Sequence, residues 1–279
     1  MTKTLLVRLA AGVVVSLGAW VAYTQTPQAP APLNLQKIRD DLYMIEGDGG
    51  NVAIYTTNDG VILIDDKFER DFTDIMAKVK SVSDKPLKYV LNTHQHGDHT
   101  GSNEKLLPIA EIIAHKNARA NMEKNKQPGL MRIVFSDESD VFLGGKEVRA
   151  RYYGRGHTNG DAVIYFPALR LIHTGDLFVS SAPLIDYANG GSAGEWSKTL
   201  DEVLKLDFDT VIPGHGPVSK KADLAKFRDK MRDLTTKVSS MVQSGKSKDE
   251  LAKMLVEDLG WPQASATRAV DGMMNEFKR

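Results

Sequence analysis

The sequence contains no cysteine in its 279 residues. Structural disulfides and thiolate metal ligands are therefore excluded, and any bound metal must be held by His, Asp or Glu. The chain also lacks a net charge, because 36 Lys and Arg residues balance 36 Asp and Glu residues. This balance argues against a nucleic-acid-binding protein that works through a broadly basic face. The composition, with 42% apolar and 26% charged residues, is typical of a globular domain.

Long hydrophobic runs are scarce, and the clearest one lies near the N-terminus. Lys3 and Arg8 precede an uncharged, mostly apolar stretch over residues 9–23, which a proline-rich linker follows. These are the parts of a secretory signal. The stretch is short for a membrane span of about 20 residues, but Trp20 is large for the position before a cleavage site at Ala22. We predict that residues 1–31 are a signal peptide, or an uncleaved membrane anchor, plus a linker, and that the protein is exported to the periplasm.

Short β-branched or aromatic runs alternate with amphipathic stretches along the rest of the chain. Strands are predicted at 42–47, 51–57, 61–66, 88–93, 111–115, 147–153, 161–166, 169–174 and 209–213. Helices are predicted at 69–82, 101–107, 116–126, 197–206 and from residue 219 onward. Two sheets packed face to face, with helices outside them, would satisfy this pattern. We interpret residues 32–220 as one domain and residues 221–279 as a helical extension packed on it.

The segment NTHQHGDHTG, residues 92–101, places four potential metal ligands directly after a predicted buried strand. These are His94, His96, Asp98 and His99, in a chain that has only seven histidines. Neutral imidazoles and carboxylates suit zinc where thiolates are absent. If the segment is extended, alternation puts His94, His96 and Asp98 on a common side. His99 would then point elsewhere, towards a second metal.

Three later segments each end an apolar strand and offer one further ligand. They contribute His157 in GRGHTNGD, Asp176 in LIHTGDLF and His215 in VIPGHGPV. Glycine near each ligand suits a loop whose backbone packs close to a metal. Four strand ends with seven ligand-type residues indicate one metal site.

The sequence HQHGDH, followed by a distant His, Asp and His, resembles the HxHxDH–H–D–H signature of the metallo-β-lactamase superfamily. The resemblance covers residues 40–220. It implies an α+β fold, the four-layer αββα sandwich of that family, here with C-terminal helices. It also implies that Asp65 or Asp66 supports the metal loop. The resemblance assigns His94, His96 and His157 to one metal, Asp98, His99 and His215 to a second, and Asp176 to a bridge between them.

The implied activity is hydrolysis by two divalent metals, with zinc favoured and iron left open. A metal-bridged hydroxide would attack an ester, thioester, lactone or amide of a small molecule. Asp98 would be the catalytic residue that orients this nucleophile. A β-lactam is one candidate amide, although family members that cleave β-lactams usually lack an aspartate at the position of Asp176. We expect no nucleic-acid partner and membrane contact only through the N-terminus; the oligomeric state is left open.

Two other interpretations remain. A mononuclear-iron sulfur dioxygenase of the same superfamily also keeps the histidines and the aspartate. A non-catalytic binding module on a membrane anchor is disfavoured, since all seven ligands are present and degenerate members usually lose some.

The glycine-rich segment 180–196 is long and irregular, and loops of this length are often functional. We expect substrate contacts in or near such loops, from Asn159, Tyr187, Asn189 and Trp196. Two histidines fall outside the signature. We interpret His115 as structural or surface-exposed, and His173 as packing or as support for the metal ligands.

Overall fold

The computed structural model describes residues 32–278, so the predicted signal or anchor at residues 1–31 lies outside the described residues. Within this range, a seven-stranded sheet and a six-stranded sheet are accompanied by helices. None of the helices between residues 32 and 278 combines the length and the apolarity that a membrane crossing requires.

The first sheet holds the first seven strands in chain order. They are β1 (Asn34–Arg39), β2 (Leu42–Glu46), β3 (Val52–Thr56), β4 (Val61–Ile64), β5 (Leu87–Leu91), β6 (Glu111–His115) and β7 (Ile133–Phe135). Strands β1 to β4 are antiparallel, whereas β4 to β7 are parallel and need crossover connections. Those connections carry α1 (Phe72–Val82), α2 (Gly97–Thr100), α3 (Asn103–Leu106) and α4 (Lys116–Lys124).

The second sheet has the order β13-β12-β11-β10-β9-β8. Its strands are β8 (Glu138–Leu143), β9 (Lys146–Tyr152), β10 (Ala162–Phe166), β11 (Leu171–His173), β12 (Thr210–Ile212) and β13 (Ser219–Lys220). The β11–β12 pair is parallel, and α5 (Ala193–Val203) makes its crossover. Three helices end the chain: α6 (Lys221–Gln243), α7 (Lys248–Glu257) and α8 (Gln263–Phe277).

Three apolar clusters define four layers. One cluster lies between the sheets and includes Ile62, Ile64 and Ile164. A second joins the outer face of the first sheet to α1, α3 and α4. The third joins the outer face of the second sheet to α5–α8. The predicted αββα sandwich with C-terminal helices is therefore confirmed, while the domain boundaries after residues 31 and 220 stay predictions.

Two local expectations were wrong. Gly97–Thr100 is a short helix rather than an extended stretch, because the backbone N–H groups of His99 and Thr100 both donate to the carbonyl oxygen of His96. This turn separates Asp98 from His94 and His96. Helix α5 begins at Ala193, four residues before the predicted start, because the hydroxyl of Ser192 accepts a hydrogen bond from the backbone N–H of Glu195 and caps the helix.

Candidate metal centre

The predicted ligands meet where strands of both sheets end. The segment with His94 follows β5, which is parallel to β4, and Asp176 and His215 follow the parallel strands β11 and β12. The carboxyl ends of parallel strands lie at one edge of a sheet, and this brings together loops that are far apart in sequence. His157 joins them from the loop between β9 and β10.

All seven predicted ligands fall into two groups. One contains His94, His96, His157 and Asp176, and the other contains Asp98, His99 and His215. Within each group, one potential ligand atom per residue lies within 4.8 Å of all the others. The turn at α2 therefore assigns Asp98 to the group of His99, as the resemblance implied.

Asp176 faces both groups. Its Oδ2 lies 3.6 Å from Nε2 of His157, while its Oδ1 lies 3.3 Å from Nε2 of His99 and 3.3 Å from Nε2 of His215. Asp98 belongs to the second group, and its Oδ2 lies 3.3 Å from Nε2 of His215. One carboxylate thus stands between two sets of imidazoles.

The two neighbouring aspartates after β4 support the motif in different ways. Asp65 accepts hydrogen bonds from the backbone N–H and the hydroxyl of Thr93, and its Oδ2 lies 2.7 Å from Nδ1 of His99. Asp66 accepts the backbone N–H of Ser102 at 2.7 Å, and burial raises its pKa. Asp65 is therefore the residue that orients a ligand, as a carboxylate behind an imidazole often does.

Protonation differs between the two groups. Burial lowers the pKa of His94 well below its usual value and that of His157 to about 4, so both rings are neutral near pH 7. Burial also favours a lower pKa for His215, but hydrogen bonds to the carboxylates of Asp176 and Asp98 outweigh it and raise the pKa of His215 to about 9. Burial alone would raise the pKa of Asp98, yet the hydrogen bond from His215 and the charge of His99 lower it to about 2. Metal binding at the second group must therefore release protons.

The residues fit divalent cations. Among residues 32–278, Nε2 of His94 is a buried polar atom without a hydrogen-bond partner, and it points into the first group. Such an atom is costly unless something binds it. Nitrogen and carboxylate donors in two groups are the set that zinc accepts when no thiolate is present.

None of the four predicted substrate contacts is among the residues that line the cavity beside the predicted ligands. Trp196 has no exposed surface, and its indole N–H donates to the carbonyl of Leu177. Asn159 accepts a hydrogen bond from Asn121 through its side chain. The hydroxyl of Tyr187 donates to Glu276 in α8, and the amide of Asn189 donates to Asp186. In this conformation the four side chains form hydrogen bonds within the protein that stabilise the loops around the ligands. Direct contact with a substrate stays a prediction.

The mouth of the site combines three predicted ligands with four residues that the sequence did not single out. A cavity of about 230 Å³ is lined by His157, Asp176, Val179, Ser181, Ala182, Leu184 and His215. Ser181, Ala182 and Leu184 belong to the irregular region 180–196, whose length was the only available signal, and Val179 directly precedes it. Its backbone is tied to the site, because the N–H of Ser180 donates to the carbonyl of His215.

The two remaining histidines have structural contacts. The ring of His115 stacks on Tyr152 at 4.0 Å, which agrees with a structural role. His173 accepts the backbone N–H of Gly175 through Nδ1, and its Nε2 lies 3.1 Å from the carbonyl of Asn51. The amide of Asn51 in turn donates to the carbonyls of Pro213 and Gly216, on either side of His215. His173 thus supports a ligand loop from behind.

Comparisons with known proteins show the family to which the chain belongs. The chain is 29% identical to metallo-beta-lactamase type 2 from Bacillus cereus over 189 residues, which cover 65% of this chain and 73% of that one. It is 28% identical to 2,4-dinitroanisole O-demethylase subunit alpha from Nocardioides sp. strain JS1661 over 135 residues, 47% of this chain and 41% of that one. A metallo-beta-lactamase from Pontibacter korlensis superposes with a TM-score of 0.65 at 19% identity, over 72% of this chain and 99% of that one, and shows the shared fold. The family model of the metallo-beta-lactamase superfamily matches residues 45–215, so the chain belongs to this superfamily as a metal-dependent hydrolase.

Proposed function

We propose that the protein is an exported hydrolase that uses two zinc ions to cleave an ester, thioester, lactone or amide bond in a small molecule. The position of Asp176 carries this proposal. Its two carboxylate oxygens face different groups of imidazoles, at 3.3 Å from His99 and His215 and at 3.6 Å from His157. A carboxylate in this position suits a bridge between two cations better than a mononuclear site.

When bound, such cations supply Lewis acidity and lower the pKa of water towards neutrality. The protein's own residues decide where the substrate reacts. His94, His99 and His157 are buried, whereas the side chains of His96, Asp98 and His215 are 25%, 23% and 36% exposed. The substrate therefore meets the site on the face of these three residues. Asp98 is ionised there, so its carboxylate is suited to orient the nucleophile and to hold a proton on its way to the leaving group.

The first experiment measures zinc and iron per chain on purified protein, with a hydrolysis screen of esters, thioesters, lactones, phosphodiesters and nitrocefin. We expect about two zinc ions and turnover of a carboxylic acid derivative. One iron per chain without hydrolysis would replace this proposal with the sulfur dioxygenase alternative. Fractionation of cells that express the full chain tests export. If the protein is exported, it should be found in the periplasm or in the membrane fraction.

The cavity wall favours a neutral substrate. Apart from the predicted ligands, the lining consists of Val179, Ser181, Ala182 and Leu184 and contributes no Lys or Arg from the described chain. An anionic substrate such as a β-lactam would find no cation in this wall to pair with its carboxylate. We therefore propose that neutral esters, thioesters and lactones are better substrates than nitrocefin.

Leu184→Lys is expected to shift this preference. Leu184 is 39% exposed, so a lysine there can reach a bound carboxylate through solvent. The ratio of kcat/KM for nitrocefin to kcat/KM for a neutral lactone should rise about fivefold, since an exposed ion pair is worth up to ~1 kcal/mol. Leu184→Gln is the matched control without charge. Equal ratios in the two variants would contradict the electrostatic explanation.

A further inference from the structure

We propose that Asp186 is a positioning residue for the metal centre, which orients His96 and connects it to the C-terminal helix α8. The inference rests on the metal binding proposed above. Asp186 lies in the irregular segment after Asp176, and nothing in the metal signature includes it.

The two nitrogens of His96 face different partners. Its Nδ1 lies 2.9 Å from Nε2 of His157, inside the first ligand group. Its Nε2 lies 2.8 Å from Oδ2 of Asp186. A cation held by Nδ1 leaves the ring proton on Nε2, which then donates to the carboxylate. This contact selects the tautomer and the ring orientation that the ligand requires.

Asp186 is itself fixed by its loop. The backbone N–H and the side-chain amide of Asn189 donate to its two carboxylate oxygens, at 3.2 and 2.6 Å. The backbone N–H of Asp186 donates to the carbonyl of His157 at 2.9 Å, and the N–H of Gly191 donates to the carbonyl of Asp186 at 2.8 Å. Asp186 is therefore linked to two ligands of the same group. Its carboxylate contacts the ring of His96, and its backbone N–H donates to the carbonyl of His157.

Helix α8 holds the next part of this loop. The carboxylate of Glu276 accepts hydrogen bonds from the hydroxyl of Tyr187 at 2.9 Å and from the backbone N–H groups of Ala193 and Gly194 at 3.1 and 3.2 Å. Gly272 packs directly against the Tyr187 ring, because a Cβ at position 272 would lie 2.0 Å from Cδ2 of that ring. Glu276 thus fixes both Tyr187 and the start of α5. The chain of contacts runs from α8 through Tyr187 and Asp186 to His96.

The test compares Asp186→Ala and Asp186→Asn with wild type, by competition with a chromophoric zinc chelator and by the visible spectrum of the Co²⁺-loaded full chain. Asp186→Ala should weaken one of two zinc-binding steps about 10- to 100-fold, as the loss of a hydrogen bond to a ligand does, and should alter the Co²⁺ bands. Asp186→Asn should restore part of the affinity, because its amide oxygen still accepts the Nε2 proton. The exposed Asp59, in the turn at the other end of β4 from Asp65, provides the control Asp59→Ala.

Unchanged zinc affinity and an unchanged Co²⁺ spectrum in Asp186→Ala would overturn the inference while leaving the proposed function intact. A wild-type protein that binds no metal would overturn both. Tyr187→Phe tests the connection to α8. It removes one hydrogen bond from the chain of contacts, so zinc affinity should fall about two- to fivefold. Affinity equal to wild type would overturn the part of the inference that includes α8.

Discussion

Replacing Asp176 with asparagine is expected to lower kcat/KM about a thousandfold and to reduce metal content below two ions per chain. The two oxygens of this carboxylate face different sets of imidazoles, at 3.3 and 3.6 Å. An amide presents one weak oxygen donor, so it cannot offer a charged oxygen to each side. A bound metal contributes several kcal/mol to transition-state stabilisation. The loss of roughly 4 kcal/mol corresponds to the expected factor, since each 1.36 kcal/mol changes a rate about tenfold.

Steady-state kinetics on the best substrate from the hydrolysis screen, together with metal analysis of the same preparation, checks this expectation. Far-ultraviolet circular dichroism must show that the variant is folded, because Asp176 is buried among charged partners. Asp59→Asn is the matched control and should retain wild-type kinetics. Wild-type turnover and two metals in the Asp176→Asn variant would remove Asp176 from the site.

Six of the seven predicted ligands could be found from the sequence because they follow the mostly apolar strands β5, β11 and β12. His157 follows β9, which is rich in Lys, Glu and Arg, and it was assigned through the resemblance to the HxHxDH–H–D–H signature. A strand that is buried on both faces has a recognisable composition, and β4 and β10 consist of buried apolar or aromatic residues. Because potential ligands follow several apolar strands in turn, the sequence predicted that they meet in one metal site. The missed strands lack this signal. Strands β1 and β8 are largely polar and mostly exposed or partly exposed, and β7 and β13 have only three and two residues.

The side chains around the site could not be placed in the same way. Trp196 lies at the end of an irregular segment, which suggested a substrate contact. Its position in the core depends on contacts with residues that are distant in sequence, such as Phe227 in α6, whose ring centroid lies 5.9 Å away. Asp186 carries no local pattern at all. Its contact with His96 spans 90 residues and exists only after the two sheets have packed.

Some features of the motif became interpretable only from the structure. Gly97 lies inside the HQHGDH motif, whereas Gly50 lies in the loop between β2 and β3. In the structure, a Cβ at Gly97 would meet no heavy atom within 4 Å, whereas one at Gly50 would lie 2.2 Å from Cε1 of His99. Close approach to a ligand therefore requires glycine at position 50, outside the signature, and not at position 97, inside it.

Gly50→Ala is thus expected to lower zinc affinity at the second ligand group and to reduce hydrolysis about a hundredfold. The ring of His99 cannot withdraw, because it is fully buried and its Nδ1 lies 2.7 Å from Asp65. The loop cannot withdraw freely either. Its Gly50 carbonyl accepts a hydrogen bond from the buried Lys67 at 2.6 Å, and the Gly50 N–H donates to the carbonyl of Asp98. A misplacement of about 1 Å at a catalytic site costs on the order of a hundredfold in rate.

Gly97→Ala is the matched control for this experiment. Both variants add one methyl group and both restrict the unfolded chain in the same way, so differences between them report on the folded site. Zinc affinity, measured by chelator competition, should stay within about twofold of wild type in Gly97→Ala, because the added methyl group meets open space. If zinc affinity falls equally in both variants, the loss comes from replacing a flexible glycine backbone rather than from contact of the new methyl group with His99. Wild-type zinc affinity in Gly50→Ala would mean that the loop from Gly47 to Asn51 moves away from His99 at little cost, and that the ring does not depend on this loop for its position.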